Sequence, residues 1–315
     1  MSNRFREIRM TTTQAEQLWI KNPLDIFAVE DARGGIVISG DTIKELVPSG
    51  EQPKTNFHRI FDASNHVVLP GLINTHHHFY QTLTRSAPNA LNKALFPWLK
   101  SLYPIWSKLT PEDIKISTKL SIAELLLSGC TTTSDHHYVF PEGLEDALEI
   151  QYEEILDSGI RATITRGSMC LGEEDGGLPP QTVIQSEDEI IHSSQSAITK
   201  FHDASPGAMV QVALAPCSPF SVTEEMMIGI ADLAKKSGVR THTHLAETKD
   251  ETVFCKESFG LSPLDYLEKV DWLNNRTWLA HGIYFSDGEI DRLGKSKVGI
   301  THCPTSNMIL GSGIC

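Results

Sequence analysis

The alternation of apolar and polar positions changes near residue 66. Before it, short β-type runs at residues 26–29 and 35–40 are broken by Gly, Asp and Pro, a pattern typical of hairpins. After it, short apolar stretches alternate with segments of helical period. The pattern predicts a small β-rich domain over residues 1–65 and an α/β domain over residues 66–315.

The second region contains about seven strand candidates separated by helices. They occupy residues 67–76, 131–136, 160–166, 209–215, 239–244, 277–281 and 298–302. Repeated strand–helix units predict a parallel sheet. Several of these strands end in histidine, at the rim where a (β/α)8 barrel carries its active site. A doubly wound open sheet is the alternative, but it more often has a Gly-rich phosphate loop after its first strand, where this chain has histidines. We therefore predict a TIM-type (β/α)8 barrel.

Capping residues mark the helix boundaries. Predicted starts follow Thr110, Ser186, Ser221, Ser262 and Ser286, and predicted ends lie at Gly129, Gly159 and Gly238. The pattern is one strand short of a closed barrel, which would leave two unpaired edges. We therefore expect a C-terminally truncated piece of a longer protein.

Composition and charge narrow the class of partner. Of the 315 residues, 40% are hydrophobic and 21% charged, which is ordinary for a globular protein. The formal net charge is −13 and no basic patch stands out, so we expect neither a nucleic-acid polymer nor a membrane surface as partner. A small-molecule substrate, neutral or weakly anionic, is the expectation.

Cysteine usage and the first residues bear on localisation. The six cysteines are scattered without a CxxC pair, so they are expected to be reduced thiols. Residues 1–7 contain no apolar segment like that of a signal peptide, and no run reaches the length of a membrane helix. The sequence predicts a cytoplasmic protein.

Two histidine groups far apart in the chain fall at predicted strand ends. Because alternate side chains of a strand share a face, His76 and His78 point inward and His77 outward. His244 is placed to complete a metal site from across the barrel. Glu247 follows at the strand end, where a carboxylate can carry protons for water at a metal.

Three further residues lie near this predicted site. His242 shares the inward face with His244 but lies one layer deeper, so we predict that it supports a ligand and does not bind the metal. Cys217 and Ser218 end the fourth barrel strand, and we predict that one of them contacts the substrate.

Three other histidine chemistries are excluded by single positions. The binuclear HxHxDH pattern needs Asp where Tyr80 stands. The zinc nucleobase deaminase pattern HxE…PCxxC lacks its second cysteine after Cys217. An HExxH helix is absent from the sequence. Residues 210–215 contain no lysine to bridge two metals, which favours one metal ion.

Four motifs together resemble the amidohydrolase superfamily. They are residues 70–78 (PGLINTHHH), 242–248 (HTHLAET), 279–282 (LAHG) and 302–307 (HCPTSN). Their order and spacing are those of the family, and the resemblance covers nearly the whole chain. It is strongest to the branch of mononuclear aminohydrolases and chlorohydrolases acting on purines, pterins and triazines. Within that branch, the members that deaminate 8-oxoguanine are most similar in residues 74–85, 133–140 and 215–220.

The resemblance implies a ligand set. His76, His78 and His244 would bind one divalent metal ion, zinc or iron, and Glu247 would be the proton shuttle. The family's fourth ligand and general base is an Asp at the end of strand eight, which we expect beyond Cys315 if it exists. The resemblance also suggests a homo-oligomer, a dimer or larger.

The resemblance also implies a reaction. It is hydrolytic deamination of a purine-like ring, with 8-oxoguanine giving urate and ammonia. His281 would lie beside the substrate at the end of the sixth strand, and Gln81 would contact the substrate ring. The alternatives are the same chemistry on isoxanthopterin, guanine or an s-triazine that loses an amine or chloride, and a catalytically inactive metal-binding fragment.

Overall fold

The computed structural model describes residues 16–315. Its chain divides into two compact units, one that ends at Gly71 and one that spans Leu72–Cys315. The predicted division into domains at residues 65 and 66 stays a prediction. Residues 1–7, where the sequence predicts no targeting segment, lie outside the described residues.

The first unit is made of short strands. They are β1 (Gln17–Lys21), β2 (Asp25–Ile26), β3 (Gly35–Ser39), β4 (Thr42–Val47), β5 (Arg59–Asp62) and β6 (Val67–Val68). Four of them form a sheet in the order β4-β3-β1-β5, and β2 pairs with β6. Trp19, Val37 and Val47 form one buried cluster of this unit, and a second consists of Ile26, Ala32 and Ile36. The strand predicted at 26–29 stops after Ile26, because Ala28 has a left-handed φ of 59°.

The second unit is built on a seven-stranded sheet. Its strands are β7 (Leu72–Asn74), β8 (Cys130–Asp135), β9 (Arg161–Ser168), β10 (Val210–Pro216), β11 (Arg240–Leu245), β12 (Thr277–His281) and β13 (Gly299–Thr301). Their order in the sheet is their order in the chain, and every neighbouring pair is parallel. A doubly wound sheet would reverse its strand order at a switch point. The architecture confirms the predicted (β/α)-barrel class with a small β-rich part before it.

Helices connect these strands in the manner the capping pattern predicts. They are α1 (Leu95–Trp106), α2 (Pro111–Leu127), α3 (Ala147–Ser158), α4 (Glu187–Phe201), α5 (Glu224–Ser237), α6 (Lys249–Phe259), α7 (Pro263–Lys269), α8 (Asp287–Ser296) and α9 (Pro304–Leu310). One predicted cap is wrong: Thr223, not Ser221, caps α5, because the Ser221 hydroxyl is engaged with Ser218. Of the helices within residues 16–315, none has the length and apolar character needed to cross a bilayer.

The core of the second unit fills the space between sheet and helices. Val212 of β10 shares one buried cluster with Ile155 of α3. Leu279 of β12 shares another with Met227 of α5. These apolar contacts place the carboxyl ends of the strands at a common rim.

The two outer strands approach each other at that rim. The hydroxyl oxygens of Thr75 and Thr301 are 2.9 Å apart. The indole Nε1 of Trp278 on β12 donates to the carbonyl oxygen of Thr75 at 3.1 Å. The sheet therefore curls, and the residues that follow its strands face one space. The predicted strand 67–76 is interrupted at Pro70 and Gly71, so that β6 lies in the first unit and β7 in the second.

Candidate active site

Four imidazoles converge at the carboxyl ends of the strands. His76 and His78 follow β7, His136 follows β8 and His244 lies in β11. One nitrogen from each ring lies within 4.8 Å of the others. His77 is outside this group, and its ring packs against that of Phe79 with the ring centroids 5.3 Å apart.

Main-chain carbonyls fix the proton positions on two of these rings. Nδ1 of His78 lies 2.6 Å from the carbonyl oxygen of His136, and Nδ1 of His244 lies 2.6 Å from that of Cys217. A carbonyl oxygen can only accept, so both Nδ1 atoms carry the hydrogen. Burial holds the pKa of His78 and of His244 well below the ordinary value, so both rings are neutral and each Nε2 carries a lone pair.

The third ring is oriented through a relay. Nδ1 of His242 donates to the carbonyl oxygen of Trp278 at 2.8 Å, so its Nε2 is an acceptor. Nδ1 of His76 donates to that Nε2 at 2.7 Å. Nε2 of His76 is thereby left with its lone pair. His242 thus contacts a cluster histidine from one layer below, where the sequence placed it.

These donors fit a metal ion. The Nε2 atoms of His78 and His244 are 3.1 Å apart, and each carries a lone pair. The two lone pairs repel each other unless a cation lies between them. Nε2 of His136 lies 3.0 Å from the carbonyl oxygen of Ala215, while its buried Nδ1 has no hydrogen-bond partner. Neutral imidazoles with fixed outer hydrogen bonds are the usual ligands of zinc, iron and related ions.

A buried acid lies beside the cluster. Oε1 of Glu247 is 3.4 Å from Nε2 of His281, and both side chains are almost fully buried. Burial raises the pKa of Glu247 to about 8 and lowers the pKa of His281 to about 4. Nδ1 of His281 lies 2.9 Å from Oδ1 of Asn307. The pair is therefore neutral near pH 7 in the metal-free protein, with a carboxylic proton available at Glu247.

A second buried carboxyl holds the segment after β7. Oδ1 of Asp135 accepts from the backbone N–H of Phe79 at 2.6 Å, and Oδ2 accepts from Nε2 of Gln151 at 2.6 Å. Phe79 follows His78 directly and begins a short 3-10 turn that ends at Thr84. Asp135 therefore anchors the backbone that presents His78.

A cavity of about 780 Å³ opens over the cluster. Besides His76, His78, His244, Glu247 and His281, apolar and aromatic side chains line it: Leu95, Trp98, Leu99, Tyr138 and Phe220. A cavity with an apolar wall and a few convergent polar groups is the usual form of a small-molecule site. Its walls suit a flat ring that stacks on aromatic groups.

Two of the three predicted substrate contacts line the cavity and one does not. Gln81 and Cys217 line the cavity, and Nε2 of Gln81 lies 3.3 Å from the hydroxyl oxygens of Tyr80 and Tyr138. Ser218 is not among the lining residues, and its hydroxyl lies 3.0 Å from that of Ser221. Its substrate contact stays a prediction without a geometric argument.

Two residues of this site were not found from the sequence. Tyr138 lines the cavity and contacts Gln81, but a single tyrosine after a strand gives no pattern. Glu251 lies under Glu247 and accepts hydrogen bonds from its backbone. A signal for it was present, because Thr248 and Glu251 have the spacing of a capping box.

Comparison with known proteins identifies the family. The model of the amidohydrolase family matches residues 67–315. The chain is 57% identical to 8-oxoguanine deaminase of Pseudomonas aeruginosa over 94% of its own length and 67% of the relative's. It is 33% identical to isoxanthopterin deaminase from an unknown prokaryotic organism, over 89% of its own length and 58% of the relative's.

A solved structure gives the same fold. The crystal structure of atrazine chlorohydrolase TrzN from Arthrobacter aurescens TC1, complexed with zinc, superimposes with a TM-score of 0.87 at 27% identity. The match covers 94% of this chain and 68% of that one. With the family model matching most of the chain and a relative at this identity, the chain belongs to the amidohydrolase family.

Proposed function

We propose that this protein is a metal-dependent aminohydrolase that converts 8-oxoguanine and water to urate and ammonia. The observation that carries the reaction type is the convergence of three imidazole lone pairs beside the buried acid Glu247. The substrate is proposed from the 57% identity to 8-oxoguanine deaminase. The aromatic wall of the cavity is consistent with a bicyclic ring.

We infer that His76, His78 and His244 bind one zinc ion. Their Nε2 lone pairs are free while each Nδ1 is engaged in a hydrogen bond. The structural relative complexed with zinc supports the choice of zinc over iron. Elemental analysis of protein purified without chelators tests it, with about one zinc per chain as the expected result and one iron as the contrary one.

The proposed reaction replaces an exocyclic amino group by oxygen. When bound, a divalent metal ion supplies Lewis acidity that makes water a nucleophile near neutral pH. The ring must also accept electrons, which protonation of its nitrogen next to the attacked carbon allows. Glu247 can supply that proton, because its side chain faces the cavity and burial raises the pKa of its carboxyl.

Glu247 then carries the remaining proton transfers, and His281 orients the attacking water. Once the carbon–oxygen bond has formed, the Glu247 carboxylate takes one proton from the attacking oxygen and delivers it to the amine, which departs as ammonia. It then takes the second proton from that oxygen as the C=O bond forms, which restores its carboxylic proton. With Nδ1 of His281 donating to Asn307, its Nε2 is an acceptor that can hold the attacking water in place. We assign the two residues these roles because their side chains face each other at 3.4 Å inside the cavity.

The remaining site residues are proposed to bind the ring. Gln81 would hydrogen-bond to its edge, and Cys217 would contact it at the cavity wall. Ser218 would contact the ring if its hydroxyl turned away from that of Ser221, 3.0 Å away. Burial raises the pKa of the Cys217 thiol to about 12, so we propose contact and not nucleophilic attack.

Ammonia release from a panel of heterocycles tests the proposal. The intact protein would be assayed with 8-oxoguanine, guanine, isoxanthopterin and an amino-s-triazine. We expect the highest kcat/KM with 8-oxoguanine and a stoichiometric urate product. Absence of ammonia release with every compound, from zinc-loaded protein, would contradict the reaction type.

A second candidate keeps the chemistry and changes the ring. The 33% identity to isoxanthopterin deaminase makes a pterin the second candidate substrate. A kcat/KM for isoxanthopterin above that for 8-oxoguanine would replace our first proposal by this one. A cytoplasmic location and a homo-oligomeric state stay predictions from the sequence.

A further inference from the structure

A second glutamate lies directly behind the proposed proton shuttle. Glu251 is in the first turn of α6 and is completely buried. Its Oε1 accepts from the backbone N–H of Ala246 at 2.8 Å, and its Oε2 accepts from that of Glu247 at 2.9 Å. Both oxygens of one carboxyl group thus accept hydrogen bonds from the backbone N–H groups of Ala246 and Glu247.

Ordinary capping glutamates of this protein bond differently. In α4 the Glu189 carboxylate accepts from the backbone N–H and the hydroxyl of the N-cap residue Ser186. In α6 the N-cap Thr248 hydroxyl accepts from the N–H of Glu251 as usual, at 3.4 Å. The Glu251 carboxylate, however, reaches past Thr248 to the two residues before it. It holds the turn that precedes the helix, in addition to closing the helix end.

That turn has an unfavourable backbone conformation. Ala246 has a φ of 54°, in the left-handed region that residues with a Cβ seldom adopt. Its carbonyl oxygen accepts from the N–H groups of Ile283 and Tyr284, which follow His281, at 2.9 and 3.0 Å. Glu251 secures the N–H side of the same residue. The turn is therefore held from both sides, and this sets the direction in which Glu247 leaves the strand.

Glu247 itself has few means of staying in place. Its described side-chain contact is the 3.4 Å approach to Nε2 of His281. A proton shuttle must alternate between two acceptors, so a rigid side-chain bond would hinder it, and its placement has to come from the backbone. Glu251 provides that placement without touching the cavity, because it is not among the cavity-lining residues.

We propose that Glu251 is a positioning residue, which fixes the Ala246–Glu247 backbone so that the Glu247 carboxyl reaches the reacting ring. The inference rests on the proposed aminohydrolase function for its consequence in catalysis. Its structural half, the fixing of the turn, is independent of that function. Glutamine at position 251 keeps the shape but offers one acceptor oxygen for two amide donors.

Steady-state kinetics of a double-mutant cycle tests the catalytic half. The zinc-loaded intact protein would be compared with Glu251→Gln, Glu247→Gln and the double variant, with Glu189→Gln as the matched control at the same helix position in α4. We expect Glu251→Gln to lower kcat by about 10- to 100-fold, with KM within about threefold. Glu189→Gln should leave kcat within about twofold of the wild type.

The double variant separates positioning from general stability. If Glu251 acts through Glu247, the double variant is no slower than Glu247→Gln alone, because the group being positioned is already gone. If the two losses multiply, or if Glu251→Gln leaves kcat unchanged, the catalytic inference is wrong. Activity of the wild type in the same assay shows whether the proposed function itself has failed.

Hydrogen–deuterium exchange of the peptide covering residues 243–250 tests the structural half without reference to activity. We expect the amides of Ala246 and Glu247 to exchange at least about tenfold faster in Glu251→Gln, and at the wild-type rate in Glu189→Gln. Unchanged exchange overturns the inference whatever the kinetics show. If Glu251→Gln does not fold, Glu251→Asp replaces it in both measurements, since aspartate keeps the carboxyl group but is too short to reach both amides.

Discussion

The edge strand β7 and the middle strand β11 deliver histidines to the same cluster from opposite environments. In β7, Leu72 is 57% exposed and Ile73 is 68% exposed. In β11, every residue from Thr241 to Leu245 is buried between two neighbouring strands. One half of the candidate metal site is therefore held by the core, and the other half lies on a strand with little burial of its own.

The difference shows what holds each half. His244 is part of the ladder, and the carbonyl oxygen of Cys217 accepts from its ring. His76 and His78 lie beyond the end of a three-residue strand and depend on polar partners, namely His242, the carbonyl oxygen of His136 and the carboxyl of Asp135 acting through Phe79. After β7, hydrogen bonds replace apolar packing. The segment that carries His76 and His78 should therefore open more easily than the strand that carries His244.

Metal removal should have the largest effect. Dialysis against a chelator is expected to lower kcat/KM by about 10³-fold or more, because the loss of a Lewis acid removes several kcal/mol of transition-state stabilisation. The facing lone pairs of His78 and His244 then repel, and we expect hydrogen exchange to rise in residues 74–80 and not in 240–245. Readdition of zinc should restore both. Equal loosening of the two segments would contradict the comparison.

Glu247→Gln comes next and affects the buried half alone. The variant should retain stoichiometric zinc and lose about 10²- to 10⁴-fold in kcat, the range for loss of a general acid and base. Zinc content by elemental analysis and ammonia release are the two measurements. Loss of zinc together with activity would show that the acid and the ligand cluster cannot be separated.

Asp135→Asn should weaken the edge half. Asparagine has one acceptor oxygen in place of two, so either its Nδ2 group faces the N–H of Phe79 or the Gln151 amide has to reverse, and the anchor is weakened in both cases. We expect zinc affinity to fall by about 10- to 100-fold with kcat at saturating zinc reduced less. Thr241→Val, which removes a buried hydroxyl contact to Thr277 in the middle strands, is the matched control and should leave zinc affinity unchanged.

The same carboxyl predicts a pH dependence of stability. Burial raises the pKa of Asp135 from 3.8 to about 7 in the folded protein. Between these values the unfolded chain has released a proton that the folded chain retains, so this group lowers the free energy of unfolding as pH rises from about 4 to about 7. Urea unfolding of metal-free protein should show a steeper decline for the wild type than for Asp135→Asn. Parallel curves would contradict the assignment.

A matched pair of isoleucines gives the smallest effect and the most direct comparison. Ile164 in β9 is fully buried, whereas Ile73 is exposed. We expect Ile164→Thr to cost roughly 2–4 kcal/mol of unfolding free energy and Ile73→Thr no more than about 0.5 kcal/mol. Denaturant midpoints at constant m-value measure both. Equal losses would show that Ile73 is covered in solution.

Periodicity was sufficient to predict much of the fold. Strand β12 has the predicted bounds 277–281, and Thr110 and Ser186 cap helices because their hydroxyls satisfy free N–H groups in a purely local way. The pairing of His76 with His78 was predicted from the two-residue period of a strand, although both residues lie beyond the end of β7. These features depend on neighbours in the chain, which a sequence displays.

The anchors of the site were harder to predict because they depend on distant neighbours. Asp135 accepts a hydrogen bond from Phe79, and the carbonyl oxygen of His136 accepts one from His78. Both contacts join the end of β8 to the residues after β7, and no spacing in the sequence predicts them. Thr223, not Ser221, caps α5, since the Ser221 hydroxyl hydrogen-bonds to Ser218. Local patterns gave candidate residues, and tertiary contacts decided among them.

The acceptors that set the tautomers of these imidazoles are peptide oxygens of His136, Cys217 and Trp278. A substitution changes the side chain but leaves the peptide oxygen in place. The amino acids at positions 217 and 278 can therefore change while the basicity of the ring nitrogens is preserved. The backbone conformation thus sets the tautomers of the histidines, and homologues with different residues at these positions should keep them.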